Sequence, residues 1–263
     1  MFDAMQKAII EKDLRFFKST KGNILSIVIV SIMFGVVFPA IFISILFFTP
    51  EEIGEMGELF GLLPEVMGQT EASLAVLSLI LNSIVPAFFL MIPVMATTTM
   101  ATASFVGEKE KRTLETLLYS PLSLRKIFSS KVVGAFFLSM IVTLGTFILY
   151  LIVSQALIYF MFGVFMLPGI NWYITVFIVA PALTLLAVTI TSKISAKAQT
   201  MEEAFQKAGL ITIPIILFAA SQFTGLMMLN AWILLLIAVV VGGVAYVMMR
   251  SALRNFNYEM LLK

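Results

Sequence analysis

From Leu74 to Val106, and again from Val132 to Phe162, the chain carries no charged side chain. A helix crosses the hydrocarbon core of a bilayer in ~20 apolar residues. Each run is therefore long enough to span a membrane with residues to spare, and can tilt or project beyond the lipid. The rest of the chain agrees: 60% of its 263 residues are hydrophobic, only 12% are charged, and the mean hydropathy is +1.06, far outside the range of soluble domains. The expected fold class is an all-α membrane protein. There is no Cys and no His, which excludes thiol chemistry, disulfides, zinc sites and an imidazole general base.

Sorting the apolar runs gives six spans, Asn23–Phe48, Leu74–Val106, Val132–Phe162, Ile170–Thr191, Gly209–Leu229 and Ala231–Met249. Every Lys and Arg then falls in four segments: 7–21, 109–131, 193–207 and 250–263. With six spans these segments share one side, while the opposite loops carry only acids, from Glu51 to Glu71. The positive-inside bias predicts that both termini and the 107–131 and 192–208 loops are cytoplasmic, in a cell membrane. Trp172 and Trp232 begin the fourth and sixth spans, where an aromatic belt would place them on the outer face. The first apolar run is too long for a cleaved signal peptide. The whole chain, 1–263, reads as one transmembrane domain.

Residues 2–18 are amphipathic at helical spacing and predict a helix in the inner interface. Gln6 and Asp13 fall inside its apolar arc, either at a wet edge or against another subunit. On the outer side, Thr49-Pro50-Glu51-Glu52 matches a capping box with Pro at the first helical position. The acidic segment 49–74 is a connector or a lid. The last two spans form a tight hairpin near Asn230. Within the spans the polar groups are amides and hydroxyls: Asn82, Gln155, Ser221, Gln222, Thr224 and the cluster Thr97, Thr98, Thr99 and Thr102. Most are expected to bond to the backbone or to neighbouring helices. Asn82, Thr97, Gln155 and Gln222 are the candidates to line a substrate path. Pro39, Pro86, Pro93, Pro181 and Pro214 can bend their helices.

Gradient-driven pumps keep ionisable groups within their spans, and these spans hold none, so energy for active transport would enter from the cytoplasmic face. The chain has no phosphate-binding loop, and the engine would be a separate polypeptide. It could grip the charged island GEKEKRTLETLLYSPLSLRKIFSSK, residues 107–131. Helical spacing puts Glu108, Arg112, Glu115 and Tyr119 on one face and Leu114, Leu117 and Leu118 opposite, with Glu110 beside them. Glu108–Arg112 and Lys111–Glu115 make i,i+4 pairs. Pro121 ends this helix, and Ser123 can cap the next one.

The run from Glu108 to Pro121, followed by Lys131, resembles the signature of ABC-2-type permeases, and the 192–206 loop is similar to that of the sodium-exporter-like branch. Arg112, where many members have Gly, and Ser129-Ser130 depart from the pattern. The resemblance implies that Glu108 to Pro121, with Glu110, Arg112, Leu114, Glu115, Leu117 and Leu118, forms a coupling helix seated in an ATP-binding subunit. It further implies two permease chains, identical or homologous, and two ATPases per transporter. ATP and Mg would belong to the partner, this chain holding no cofactor and being no enzyme itself, with no nucleic-acid partner. A pathway without carboxylates is a poor site for hard cations, so an amphipathic peptide, lipid or hydrophobic drug suits it better than sodium. The alternatives are a sodium-exporter subunit and a non-transporting scaffold or sensor. A membrane-embedded enzyme would need an acid, base or nucleophile set that the spans lack.

Overall fold

The computed structural model describes residues 4–19, 21–49, 69–110, 123–223 and 230–255, which form helices joined by short connections with no strand among them. The chain runs through α1 (Ala4–Ser19), α2 (Ile24–Phe48), α3 (Ser73–Glu110), α4 (Leu124–Phe162), α5 (Ile170–Lys197), α6 (Met201–Gly209), α7 (Thr212–Phe223) and α8 (Ala231–Asn255). Six rods are long and apolar enough to cross a membrane, α6 and α7 together making the fifth, Met201–Gln222. The second and third are longer than the uncharged runs suggest. α3 continues through Glu110 and α4 begins at Leu124, so the ends of the charged island are the ends of these helices. Ser123 occupies the position before α4 with extended backbone, but its hydroxyl makes no cap; its carbonyl accepts from Lys126 and Ile127.

α3 and α5 form the centre, with 61% and 56% of their most apolar stretches buried, against 17–28% for the other spans. Many of their buried residues are small: Ala96, Thr97, Ala101, Ala103 and Ser104 on α3, and Ala180, Thr184, Ala187, Thr191 and Ala196 on α5. Lipid tails are as apolar as leucine, so close backbone approach and hydrogen bonding, rather than hydrophobic burial, hold such helices together. The hydroxyls mostly turn back on their own helices. Thr97, Thr98 and Thr99 donate to the carbonyls of Pro93, Val94 and Met95 at 2.6–2.9 Å, as expected for threonine within a helix.

Three spans contain one π-turn each, at Met33–Val37, Ile80–Ile84 and Thr175–Val179. Each ends two residues before a proline: Pro39, Pro86 and Pro181. Proline has no N–H and its ring crowds the carbonyl four residues back. In all three helices the residue just before the proline donates five residues back, Phe38 to Met33, Val85 to Ile80 and Ala180 to Thr175. The ladder slips by one residue and carries the proline without breaking the span.

At the end away from the lysines, Trp172 is fully buried, which corrects the aromatic-belt expectation for it. Its indole N–H donates to the Leu81 carbonyl at 2.7 Å, and its ring stacks on Tyr150 with centroids 4.2 Å apart. Trp232, by contrast, is exposed. α4 ends at Gly163, whose left-handed φ of 70° suits a residue without a side chain. Thr49 closes α2 by donating its hydroxyl to Ile45. The rest of the outer capping box lies outside the described residues, as do Thr224 and the hairpin residues before Asn230.

Candidate functional site

Three of the basic segments, 7–21, 109–131 and 193–207, meet at one end of the molecule and are joined there by polar contacts. α1 buries a single stripe, Gln6, Ile9 and Asp13, while Lys7, Glu11, Lys12 and Arg15 stay exposed. The stripe faces the chain's own spans. Ser104 donates its hydroxyl to Asp13 Oδ2 at 2.6 Å, and Lys131 Nζ lies 3.8 Å from the same oxygen. Asp13 is thus neither at a wet edge nor against another subunit: it reaches into the junction of α3 and α4.

Lys131 is the hub of that junction. Its side chain is 1% exposed, and its ammonium donates to the Ser104 carbonyl at 2.6 Å and hydroxyl at 3.1 Å. It pairs with Glu108 Oε2 at 2.7 Å and sits 5.3 Å from the centre of the Phe105 ring. Glu108 also takes Lys12, which in turn lies 3.4 Å from Asp13 Oδ1. Two cations and two carboxylates from three helices therefore make a charge-neutral, mostly buried cluster. An isolated charge at such depth would be prohibitive, whereas one fully paired and hydrogen-bonded is tolerated. Partial burial acts to lower the pKa of Lys12, but the Glu108 hydrogen bond and the charges of Glu108 and Asp13 outweigh it, and the net shift is upward.

Just beyond the cluster, two consecutive residues of α3 hold the corner between α5 and α6. Lys109 Nζ donates to the Ala196 and Ala198 carbonyls at 3.3 Å, where the end of α5 leaves carbonyls without helical partners. Glu110 Oε1 accepts from the Met201 N–H at 2.8 Å, at the start of α6. The corner also caps itself. Thr200 Oγ1 accepts from the Glu203 N–H and Glu203 Oε2 from the Gln199 N–H, at 3.2 and 2.9 Å.

This geometry revises two expectations. Glu108 and Glu110 were placed on a helix presented to a partner; Glu108 points into the cluster, and Glu110 is bound to the α6 start. The apolar stretches hold no ionisable group, yet the helices that contain them end in a buried ionic cluster. Arg112, Leu114, Glu115, Leu117, Leu118 and Pro121 lie outside the described residues. Lys12, Ser104 and Lys109 were not singled out from sequence, and no periodicity marks them. The corner did carry a signal, the Thr-x-x-Glu spacing at 200–203.

The four candidates for a substrate path do not converge. Thr97 is enclosed between α3 and α4 in a closed set with Ser139 and the Pro93 carbonyl, at 2.6–2.8 Å. Asn82 and Gln155 do meet, but to pin residues 166–169: Asn82 Oδ1 accepts from the Gly169 N–H at 2.7 Å, and the Gln155 amide pairs with both backbone groups of Met166. A Cβ on Gly169 would stand 2.9 Å from Asn82 Oδ1, so a larger residue would push aside the amide that holds this turn. The cavity between Asn82 and Gln155 is about 10 Å³, room for one water. Gln222, on α7, is apart from the others; its buried Oε1 has no hydrogen-bond partner among the described residues.

No curated protein matches the chain. A family comparison matches residues 8–231 to the ABC-2 family transporter proteins. The matched stretch takes in every member of the ionic cluster and the α5–α6 corner, and the chain therefore belongs to the ABC-2 transporter family, as a multi-pass membrane permease component of an ABC transporter.

Proposed function

We propose that this chain is the membrane half of an exporter, moving an amphipathic or hydrophobic substrate out of the cytoplasm with ATP hydrolysed by a separate subunit. The basic end faces the cytoplasm, and the partner ATPase docks on residues 111–121, with Leu114, Leu117 and Leu118 filling its cleft. The observation that carries this reading is the ionic cluster and its neighbouring clamp. Both stems of the island are fastened to the rest of the basic end, α3 to α1 and α4 through Glu108 and Ser104, and to α5 and α6 through Lys109 and Glu110. A displacement of the island is passed to five helices rather than absorbed in a loose loop. The polar groups Asn82, Thr97 and Gln155 are engaged in structural bonds, which supports a pathway between two permease copies rather than through one.

The test is transport by the chain reconstituted in vesicles with its cognate ATPase. Flux should require ATP and persist when ionophores collapse the proton and sodium gradients. Leu118→Asp should abolish it by burying an unpaired charge in the docking contact, while leaving the permease inserted and folded. Flux that continues without ATP and stops with an ionophore overturns the reading.

A further inference from the structure

Beside the clamp, an open cavity of about 450 Å³ lies between α5 and α8, bounded by α4 and by Lys207 of α6. That volume is within the range of ~300–1,000 Å³ usual for ligand sites. One face of α5 lines it, Ile190, Lys193, Ile194 and Lys197, at the spacing that puts four residues in a row along a helix. The apolar members of the wall include Ile190 and Ile194, which alternate with the cations along α5, and Met248 of α8. No acidic residue among the described residues lines the cavity. Lys207 is paired with Glu203 at 2.6 Å, but Lys193 and Lys197 are exposed and form no ion pair among the described residues. The α8 surface running away from it toward the membrane centre is apolar and exposed, through Val247, Val244 and Val240.

We propose that this cavity binds the headgroup of an anionic phospholipid, with the phosphate between Lys193 and Lys197 and the acyl chains along α8. The inference rests on the topology given under the proposed function, which sets the basic end at the anionic leaflet. Charge complementarity selects an anion, since among the described residues two ammonium groups without an ion-pair partner line a cavity with no carboxylate in its wall. The apolar wall selects an amphiphile, because a free inorganic anion gains nothing from Ile190, Ile194 and Met248. Basic pockets between spanning helices at this level are suited to acidic headgroups.

The test is native mass spectrometry of the delipidated full chain titrated with dioleoylphosphatidylglycerol or dioleoylphosphatidylcholine. The wild type should bind phosphatidylglycerol more tightly. Lys193→Gln with Lys197→Gln should weaken that binding on the order of tenfold, as loss of two surface lysines implies, and leave phosphatidylcholine binding unchanged. The control pair Arg125→Gln with Lys126→Gln, at the same end but outside the cavity, should keep the preference. Equal loss in the control would mean diffuse charge rather than a site. Displacement of phosphatidylglycerol by millimolar inorganic phosphate would mean a small-anion site. A double variant that keeps its lipid but changes the dimer population would mean that a second copy covers the cavity; each of these overturns the proposal. No ATPase is present in the assay, so failure of ATP-driven transport and failure of lipid binding are read separately.

Discussion

Lys131 shows how far a single residue can be read before its surroundings are known. Its type and its place at the end of the charged island were visible, and Asp13 stood out as a charge within an apolar arc. That the two belong to one cluster was not, because their meeting depends on how α1 crosses α3 and α4. Trp172 was misread for the same reason: a tryptophan at the head of a span suits the membrane interface, but here the Leu81 carbonyl and the Tyr150 ring are at hand to receive it. At this scale the prediction is that Lys131→Met destabilises the protein by about 3–5 kcal/mol, since it strands Glu108 and Asp13 without their buried counter-ion. Lys131→Met combined with Glu108→Leu should recover part of that loss, as read by thermal unfolding in detergent. A single variant as stable as the wild type would show that the cluster holds nothing together. Lys12 adds no pH dependence near neutrality. Its pKa is raised in the folded protein, so its stabilising contribution is complete below the ordinary lysine value of 10.5 and fades only as the pH climbs past the raised value.

Among the elements, the number and order of the six spans followed from hydropathy, but their ends did not. The spans were bounded by their uncharged runs, with only the helix after Ser123 expected to run on into the third span; in the structure α3 also continues unbroken into the basic end, through Glu110. A lysine or glutamate is a good helix former once its charge has a partner, so the hydropathy boundary and the helix boundary are separate things. The prolines were marked as bends, and the finer outcome is the slip in the hydrogen-bond ladder before Pro39, Pro86 and Pro181. This has a measurable consequence. Pro181→Ala restores an N–H that can donate four residues back, so the Thr175–Val179 turn should revert toward α-helix. Hydrogen exchange across that turn is then expected to slow relative to wild type, with α2 and α3 unchanged as internal references; unaltered exchange would place the cause of the slip in packing rather than in the proline.

For the whole molecule, the segregation of lysine and arginine into alternate loops agrees with a structure in which α1, the α3 and α4 stems, the α5–α6 corner and the end of α8 gather at one end. Sequence could supply the side of each loop but not the contacts within it, since periodicity records which face a helix hides and not which helix hides it. The absence of native cysteine makes the topology directly testable. Glu58→Cys should react with an impermeant thiol reagent in intact cells, and Glu202→Cys, exposed on α6, only after permeabilisation; labelling of Glu202→Cys from outside would invert the orientation. The grip of α3 on the α5–α6 corner has one more implication. Lys109 and Glu110 are neighbours in sequence and point about 100° apart around the helix axis, one holding the carbonyls that close α5 and the other the amide that opens α6. A twist of α3 about its own axis cannot keep both contacts unless the corner turns as well, so the two helix ends are geared together: neither can rotate alone without breaking a bond.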